Sequence, residues 1–166
     1  MKAIVAVDLN WGIGCKGKLL ERIPDDMKFF KQKTVGKIVL MGRETFVSLP
    51  GGEPLKDRLN IVLCEDKQFS DKKITVCSSL NELFGELKKY PTDEVFVIGG
   101  EIVYAELLPY CSEAYVTKIE NIYEADKYFV NLDEDERWEL ISTGESKSFN
   151  GIRYSLTKYK NNVLQK

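Results

Sequence analysis

The chain has 166 residues, of which 43% are hydrophobic and 30% are charged; its net charge is −2 and it has no histidine. This length and composition predict one soluble globular domain whose core needs no disulfide or metal for stability. The small net charge gives no electrostatic reason to expect nucleic acid or an anionic membrane as a partner, and any acid–base chemistry near pH 7 must use a side chain other than histidine, or water.

The N-terminal segment MKAIVAVDLN reads as a first strand. It carries one lysine and a short apolar run, too short for the core of a signal peptide or for a membrane span. The cysteines are widely spaced, form no C-x-x-C pair and have no histidine that could complete a zinc site. We therefore expect no bound metal, free thiols and a cytoplasmic location.

Strands and helices alternate along most of the chain. Several of the apolar, β-branched runs lack polar alternation, as strands buried on both faces of a parallel sheet do. The predicted strands are residues 3–7, 37–41, 60–64, 74–77, 94–98 and 114–119, and the predicted helices are residues 24–33, 43–49, 79–89 and 101–108. Ser79 and Glu82 have the spacing of a capping box at the start of the third helix. The alternation predicts an α/β fold, with helices on both faces of a mostly parallel sheet.

The C-terminal part has a different pattern. Asn150-Gly151 is a strong hairpin signal between residues 138–146 and 152–159, and the second arm alternates apolar and polar residues. The sheet is therefore expected to end in an antiparallel hairpin. Residues 1–160 are expected to form the domain, and residues 161–166 a loose tail.

The segment RIPDDMKFFKQK places two aspartates ahead of two phenylalanines. On a helix, Asp26 shares a face with Phe29 and Phe30, whereas Asp25 points toward the polar side. A carboxylate held against apolar side chains has a raised pKa and suits protonation chemistry. Taken alone, the simpler interpretation is that both acids stabilise the helix N-terminus.

Two further segments join a strand to a helix through glycine. VFVIGGEIVYAELL contains Gly99-Gly100, and IVLMGRETF places Arg43 and Thr45 at the helix start. Glycine allows a close backbone approach, and helix-start N–H groups with an arginine suit a phosphate. Neither segment has the G-x-G-x-x-G pattern, and each alone could be a tight turn or a surface arginine beside a local cap. Together, at the ends of strands of one sheet, they favour a dinucleotide and cofactor-driven redox chemistry over hydrolysis.

Six segments, in order, resemble the dihydrofolate reductase family: AVDLNWGIG, IPDDMKFFK, LMGRETFVSLP, PLKDRLNIVL, VFVIGGEIVY and AYVTKI. Their order and spacing are specific, although each alone is weak. The resemblance implies a single α/β domain with a mixed eight-stranded sheet. It implies reduction of 7,8-dihydrofolate to 5,6,7,8-tetrahydrofolate, by hydride transfer from NADPH to C6 with protonation at N5, in support of one-carbon and thymidylate metabolism. Antifolate inhibitors are implied as ligands; with no aromatic-rich face in the sequence, we expect a monomer.

By the same resemblance, Asp26 is the acid of the pterin pocket and Thr117 is the hydroxyl that braces it. Asp26 would accept hydrogen bonds from the 2-amino group and N3 of the pterin and favour protonation at N5, directly or through water. Arg58 would pair with the α-carboxylate of the substrate's glutamate. The implied substrate-binding residues are Ile4, Val5, Met27, Phe30, Leu49, Leu55, Arg58 and Ile98.

The resemblance also implies a cofactor site. Backbone groups of Ala6 and Ile13 would meet the nicotinamide carboxamide, and residues 14–20 match a mobile loop that closes over the site. The implied cofactor-binding residues are Ala6, Ile13, Gly14, Leu19, Gly42, Arg43, Glu44, Thr45, Leu63, Cys64, Gly99, Gly100, Glu101, Ile102 and Tyr104.

The sequence departs from the family pattern in two places. Leu20-Glu21 stands where family members commonly have proline and tryptophan, and Glu21 would bring a second carboxylate toward Asp26 and raise its pKa. Around the ribose 2′-phosphate, Glu65, Ser78 and Ile102 stand where serine, lysine or arginine is common. A glutamate there is unfavourable for a phosphate dianion.

Two alternatives remain open from the sequence. One is a reductase of related fold that acts on another pterin-like or pyrimidine-ribityl substrate, against which IPDDMKFF together with Thr117 and Arg58 argues. The other is a nucleotide-binding module that has lost catalysis, with Glu21 as the sign of that loss. The presence of Asp26 argues against it.

Overall fold

The computed structural model describes residues 1–66, 68–71 and 73–165. Its strands are Lys2–Val7 (β1), Gly12–Cys15 (β2), Lys18–Leu19 (β3), Ile38–Gly42 (β4), Leu59–Leu63 (β5), Thr75–Cys77 (β6), Val95–Gly99 (β7), Glu113–Ile119 (β8), Lys127–Tyr128 (β9), Trp138–Thr143 (β10), Lys147–Phe149 (β11) and Ile152–Asn161 (β12). Its α-helices are Pro24–Thr34 (α1), Arg43–Ser48 (α2), Leu80–Leu87 (α3) and Glu101–Leu107 (α4). The predicted α/β alternation is confirmed, with the ends of the elements shifted by one or two residues, as helix and strand ends commonly are.

The main sheet has the strand order β10-β12-β8-β1-β7-β4-β5-β6. The strands from β8 to β6 in this order are parallel. At the β8 edge, β12 pairs antiparallel with β8, and β10 pairs antiparallel with β12. Among the described residues, eight strands therefore lie side by side in a mixed, mostly parallel sheet, as expected.

The C-terminal hairpin differs from the prediction in its first arm. Asn150-Gly151, both at positive φ, joins β11 to β12, with Phe149 opposite Ile152. β10 is a separate strand that pairs further along β12. Between β10 and β11, the Gly144 N–H donates to the Leu156 carbonyl at 2.8 Å, and a Cβ at Gly144 would lie only 3.2 Å from that oxygen. The predicted single arm is therefore two strands joined by an irregular segment.

A second sheet, with the order β3-β2-β9, was not predicted. β2 and β3 form a hairpin around Lys16-Gly17, two residues with positive φ, and β9 pairs along the other side of β2. Strands of two to four residues carry too little periodicity to be read from sequence. The segment predicted as a mobile loop is, in this structure, mostly this hairpin.

Side chains on neighbouring residues of a strand point to opposite faces of the main sheet. Leu40 lies in the cluster that contains the buried apolar residues of α3 and α4, whereas Met41 packs with Phe46 of α2. Phe29 of α1 packs edge-on against Tyr115 of β8, with ring centroids 5.8 Å apart, and the strand neighbours of Tyr115 belong to the first cluster. The helices α3 and α4 therefore cover one face, and α1 and α2 cover the other.

The C-terminal segment begins inside β12, which ends at Asn161. Beyond it, the N–H of Asn162 donates to the Arg137 carbonyl at 2.8 Å, and that of Gln165 to the Pro109 carbonyl at 2.9 Å. Across the described part of the chain, no helix has both the length and the apolar character required to span a membrane.

Candidate active site

The sheet topology brings the candidate residues to one edge. Because β1, β7, β4, β5 and β6 are neighbouring parallel strands, their carboxyl ends lie together, where ligands of open α/β sheets bind. The register places Gly42 opposite Leu63, and Leu63 opposite Cys77. Residues that follow separate strands in the sequence therefore become neighbours in space.

Asp26 of α1 is tied to the sheet by Thr117 of β8. The Thr117 hydroxyl donates to Asp26 Oδ1 at 2.5 Å, and Thr117 lies opposite Ala6 of β1 in the parallel ladder. Thr117 is buried and Asp26 is partly buried. Burial raises the pKa of Asp26, and the hydrogen bond from Thr117 opposes that rise. Such a carboxylate can accept hydrogen bonds from a ligand and can influence where a proton resides.

Asp25 has different surroundings. It is exposed, and Oδ2 accepts hydrogen bonds from the Tyr154 hydroxyl at 2.9 Å and from Lys147 Nζ at 3.1 Å. These bonds, that from Tyr154 first, lower the pKa of Asp25. The helix begins after Ile23, which provides no side-chain cap. The two adjacent aspartates therefore have shifted pKa values of opposite sign.

Tyr104 of α4 reaches β1 through the core. Its hydroxyl donates to the Ile4 carbonyl at 2.7 Å. Its ring packs edge-on against that of Phe129, with the ring centroids 4.8 Å apart. Burial strongly raises the pKa of Tyr104, so the phenol is a fixed donor rather than an acid near pH 7. A carbonyl oxygen has two lone pairs, so Ile4 retains capacity for one donor from a ligand.

Arg58, from the loop before β5, is held in place by hydrogen bonds. Its NH1 donates to Thr34 Oγ1 at 3.0 Å and its Nε donates to the Lys56 carbonyl at 2.9 Å. The guanidinium lies 5.9 Å from the ring centroid of Phe30. Burial lowers the pKa of Arg58, yet an arginine stays charged at any physiological pH. The result is a fixed cation beside an apolar wall.

The other apolar candidates lie on both sides of this edge. Leu49, Leu55 and Ile98 pack at the margin of the cluster around Met41, and Met27 of α1 is 38% exposed. Val5 and Ile13 pack against the cluster of α3 and α4, and Ala6 packs against a third cluster centred on Ile23. An exposed methionine and partly buried leucines are side chains that can offer apolar surface to a ligand.

The Gly99-Gly100 segment is compact because it lacks side chains. A Cβ on Gly99 would lie 3.3 Å from Thr45 Oγ1, and one on Gly100 would lie 3.2 Å from it. Gly99 has φ 131°, which favours glycine. Gly100 and Gly42 precede α4 and α2 and offer no side-chain cap, so first-turn N–H groups are left to another acceptor. This backbone and hydroxyl surface fits a phosphate group.

Arg43 makes an ion pair that the sequence did not predict. Its NH1 lies 3.1 Å from Asp66 Oδ2, and its guanidinium lies 5.1 Å from the ring centroid of Phe69. Both charged side chains are about half exposed. In this structure, Arg43 is therefore directed toward the segment that follows β5.

The remaining cofactor candidates lie on α2, on α4 and at the end of β5. Glu101 Oε1 accepts a hydrogen bond from the N–H of Tyr128 at 2.9 Å, which joins the start of α4 to β9. The other residues in this group are Glu44, Leu63 and Ile102, all at least partly exposed, and Cys64, which is buried.

The hairpin of β2 and β3 is fastened by Asp126. The N–H of Lys16 donates to Asp126 Oδ2 at 2.9 Å, and the N–H of Asp126 donates to the Gly14 carbonyl at 3.0 Å. Leu19, on β3, is 55% exposed. The hairpin thus carries Ile13, Gly14 and Leu19 as one unit beside the end of β1.

Glu21 is directed toward Tyr123. Its Oε2 accepts a hydrogen bond from the Tyr123 hydroxyl at 3.2 Å, and its Oε1 accepts from the Arg22 N–H at the same distance. The shift in the pKa of Asp26 has burial and Thr117 as its causes, and the expected contribution of Glu21 is not among them.

Three partner residues were missed by sequence reasoning: Thr34 beside Arg58, Asp66 beside Arg43, and Tyr123 beside Glu21. Each pair is 23 or more residues apart in the chain. Only Asp66 had a nearby signal, because it follows a strand end beside Glu65.

Comparisons with known proteins agree with this geometry. A family model described as "Dihydrofolate reductase" matches residues 1–161. A dihydrofolate reductase of Bacillus subtilis (strain 168) is 36% identical over 159 residues, which cover 95% of this chain and 92% of that protein. One of Staphylococcus haemolyticus is 36% identical over 141 residues, covering 84% of this chain and 81% of that protein. A solved dihydrofolate reductase from Enterococcus faecalis, complexed with NADP(H) and RAB-propyl, superposes with a TM-score of 0.85 at 33% identity, covering 97% of this chain and 95% of that one.

Proposed function

Since the chain belongs to the dihydrofolate reductase family, we propose that it reduces 7,8-dihydrofolate to 5,6,7,8-tetrahydrofolate with NADPH. The hydride goes to C6 and a proton goes to N5. This reaction needs a nicotinamide cofactor, a pocket that orients the pterin, and an acid that favours protonation of the ring.

The observation that carries this proposal is the pair formed by Asp26 and Thr117. Asp26 is a carboxylate of raised pKa on a partly apolar wall, held by a hydroxyl from the adjacent sheet. Its Oδ2 and the remaining lone pairs of Oδ1 can accept hydrogen bonds from the 2-amino group and N3 of a pterin. A negative charge there favours the protonated ring, whether Asp26 or water delivers the proton to N5.

Other residues near the carboxyl ends of the strands would contact the pterin ring, the aminobenzoyl group and the glutamate of the substrate. The carbonyls of Ile4 and Ile98 would accept from the pterin, and Val5 would contact the ring. Met27, Phe30, Leu49 and Leu55 would surround the aminobenzoyl group. Arg58, fixed by Thr34, would bind the α-carboxylate of the glutamate, which suits the fork of a guanidinium.

NADPH, when bound, supplies the hydride. The Gly99-Gly100 turn with Thr45 would hold phosphates, because a side chain on either glycine would crowd that hydroxyl. Backbone groups of Ala6 and Ile13 would orient the carboxamide, and the hairpin that contains Gly14 and Leu19 would exclude water. The remaining contacts proposed from the family resemblance are Gly42, Arg43, Glu44, Leu63, Cys64, Glu101, Ile102 and Tyr104.

Further parts of the proposal concern partners and location. We propose that diaminopyrimidine antifolates bind with their protonated ring against Asp26. The cysteines are free thiols, which supports a cytoplasmic location. We also propose a monomer built from one domain, residues 1–160, that binds neither nucleic acid nor membranes; light scattering after gel filtration measures the oligomeric state.

The decisive test is a steady-state assay that follows loss of the NADPH absorbance band when dihydrofolate is added. Wild type should oxidise NADPH and Asp26→Asn should oxidise very little near pH 7. A nucleotide-binding module without catalysis would bind NADPH and oxidise none. A reductase for another substrate would require a different pterin or pyrimidine before the absorbance falls.

A further inference from the structure

A groove lies at the carboxyl ends of two neighbouring parallel strands, β5 and β6, next to that of β4. β4, β5 and β6 are aligned so that Gly42, Leu63 and Cys77 lie in one row. The groove has a volume of about 510 Å³, and the residues that line it include Glu65, Ser78, Ser79 and Glu106. The residue after Gly42 is Arg43, so Arg43 lies at the same end of the sheet as the groove. Asp66, the residue after Glu65, pairs with it.

Arg43 is held on the Asp66 side of this region. Asp66 Oδ2 contacts the guanidinium at 3.1 Å, while Asp66 Oδ1 accepts from the N–H of Gln68 at 2.9 Å. The Asp66 carbonyl accepts from the N–H of Phe69 at 3.0 Å, and the Phe69 ring lies under the guanidinium. The carboxylate is therefore fixed by its own turn in a position that faces Arg43.

The hydrogen-bond donors of Ser78, which lines the groove, are also occupied by a carboxylate. The N–H and the hydroxyl of Ser78 both donate to Glu82 Oε2 at 2.7 Å. Ser79 in turn accepts from the N–H of Glu82 at 3.2 Å. A phosphate group that entered here would have to displace Asp66 from Arg43 or Glu82 from Ser78, whereas a hydroxyl would not.

We propose that Asp66 is a specificity-determining residue that competes with the ribose 2′-phosphate of NADPH for Arg43, so that this protein also binds NADH. The inference rests on the proposed function, because it takes the groove as the site of the adenosine ribose. NADH has a hydroxyl in place of the 2′-phosphate, and a carboxylate can accept its hydrogen bond. We expect the dissociation constants of the two dinucleotides to differ by about tenfold or less, which is about 1.4 kcal/mol.

The test compares binding of NADPH and NADH by titration calorimetry, without dihydrofolate. Asp66→Asn keeps an oxygen for the Gln68 N–H and removes the charge. The substitution should tighten NADPH binding by roughly three- to tenfold, because the ion pair between Arg43 and Asp66 is about half exposed. It should leave the dissociation constant of NADH nearly unchanged. In an Arg43→Ala background, Asp66→Asn should not change the affinity for NADPH, because the arginine for which Asp66 competes is absent.

Asp135→Asn is the matched control. Asp135 also pairs with an arginine, Arg137 at 2.7 Å, and also accepts a nearby backbone N–H, but it precedes β10 at the far edge of the sheet. Asp135→Asn removes the same charge far from Arg43, so it should leave the ratio of the two dissociation constants unchanged.

Four results would overturn the inference. They are NADH binding to wild type that is weaker than NADPH binding by much more than about tenfold, an unchanged ratio in Asp66→Asn, an equal effect in the Arg43→Ala background, and no binding of either dinucleotide to wild type. Turnover separates this inference from the proposed function. If both dinucleotides bind as expected but dihydrofolate is not reduced, the proposed function fails and the assignment of Asp66 stands.

Discussion

Thr117 and Asp26 are 91 residues apart in the chain, yet the Thr117 hydroxyl donates to the Asp26 carboxylate at 2.5 Å. Burial raises the pKa of this carboxylate and the hydroxyl partly offsets that rise, so a side chain on β8 modifies the acidity of one on α1. Two properties of the protein, its pH-dependent stability and its activity, should therefore depend on this contact.

We expect Asp26→Asn to be more stable than wild type at pH 7 and nearly inactive. An acid whose pKa is raised in the folded state contributes stability below its usual pKa of 3.8 and loses that contribution as pH rises through the folded-state pKa. At pH 7 the ionised Asp26 therefore disfavours folding, and asparagine should relieve this by about 1 kcal/mol, a magnitude common for stabilising substitutions. Activity should fall by roughly 100-fold or more. Urea unfolding over a pH series and the NADPH assay measure the two effects.

Asp25→Asn is the control, and its stability change should have the opposite sign. The pKa of Asp25 is lowered by Tyr154 and Lys147, so its contribution to stability is present above the usual pKa and is lost as pH falls. This variant should be slightly less stable at pH 7 and should retain its activity. If Asp25→Asn were the inactive variant, the assignment of the two acids would be reversed.

Thr117→Val should raise the pKa of Asp26 further, because it removes the hydrogen bond that opposes burial. Thr117→Ser keeps the hydroxyl and should leave the pKa close to that of wild type. Carbon-13 shifts of the Asp26 carboxyl, followed over pH, measure this directly. The stability lost at pH 7 in Thr117→Val should be about 1–3 kcal/mol, the usual cost of an unsatisfied buried acceptor. Equal titration curves in the two variants would contradict this role for Thr117.

Glu21→Gln should leave the titration of Asp26 unchanged, because the Glu21 carboxylate is bonded to Tyr123. The sequence favoured the opposite result, since Glu21 stands where family members commonly have a tryptophan and would therefore bring a carboxylate toward Asp26. Tyr123→Phe removes the hydroxyl that holds Glu21. A shift in the Asp26 titration in Tyr123→Phe, absent from the Tyr123→Phe/Glu21→Gln double variant, would show that this bond keeps Glu21 away from the pocket.

Some elements could be predicted from the sequence and others could not, and the difference has a physical basis. Strands such as β4 and β7 are continuous apolar runs, and α1 begins with proline and two acids, so local patterns were sufficient to predict them. The sheet of β2, β3 and β9 depends on pairing between short segments far apart in the chain, and no local pattern encodes it. The direction of a long polar side chain is equally non-local. The position of Arg43 was readable, but its pairing with Asp66 depends on the path of the chain after β5.

Arg58→Lys should weaken the binding of dihydrofolate by about tenfold or more and leave NADPH binding unchanged, because lysine cannot reproduce a two-pronged contact with a carboxylate. The substitution also removes the hydrogen bond that Arg58 NH1 donates to the Thr34 hydroxyl at 3.0 Å, which holds the guanidinium in place. Arg153→Lys is the matched control, since Arg153 pairs with Glu120 on the surface at 2.9 Å. Fluorescence titration with dihydrofolate measures both. Equal affinities in the two variants would place the glutamate of the substrate elsewhere.

Gly99→Ala and Gly85→Ala should change stability in opposite directions. Gly99 has φ 131°, and a Cβ there would lie 3.3 Å from Thr45 Oγ1, so alanine should cost about 1–3 kcal/mol through backbone strain and crowding. Gly85 lies within α3 with nothing within 4 Å of the position of a Cβ, so alanine should stabilise the helix by about 0.5–1 kcal/mol. Gly100→Ala separates the two causes at the turn. It crowds Thr45 at 3.2 Å but has φ −91°, so it should weaken NADPH binding with a smaller loss of stability. Urea unfolding and NADPH titration of the three variants test this; tight NADPH binding by Gly100→Ala would show that the cofactor does not use this turn.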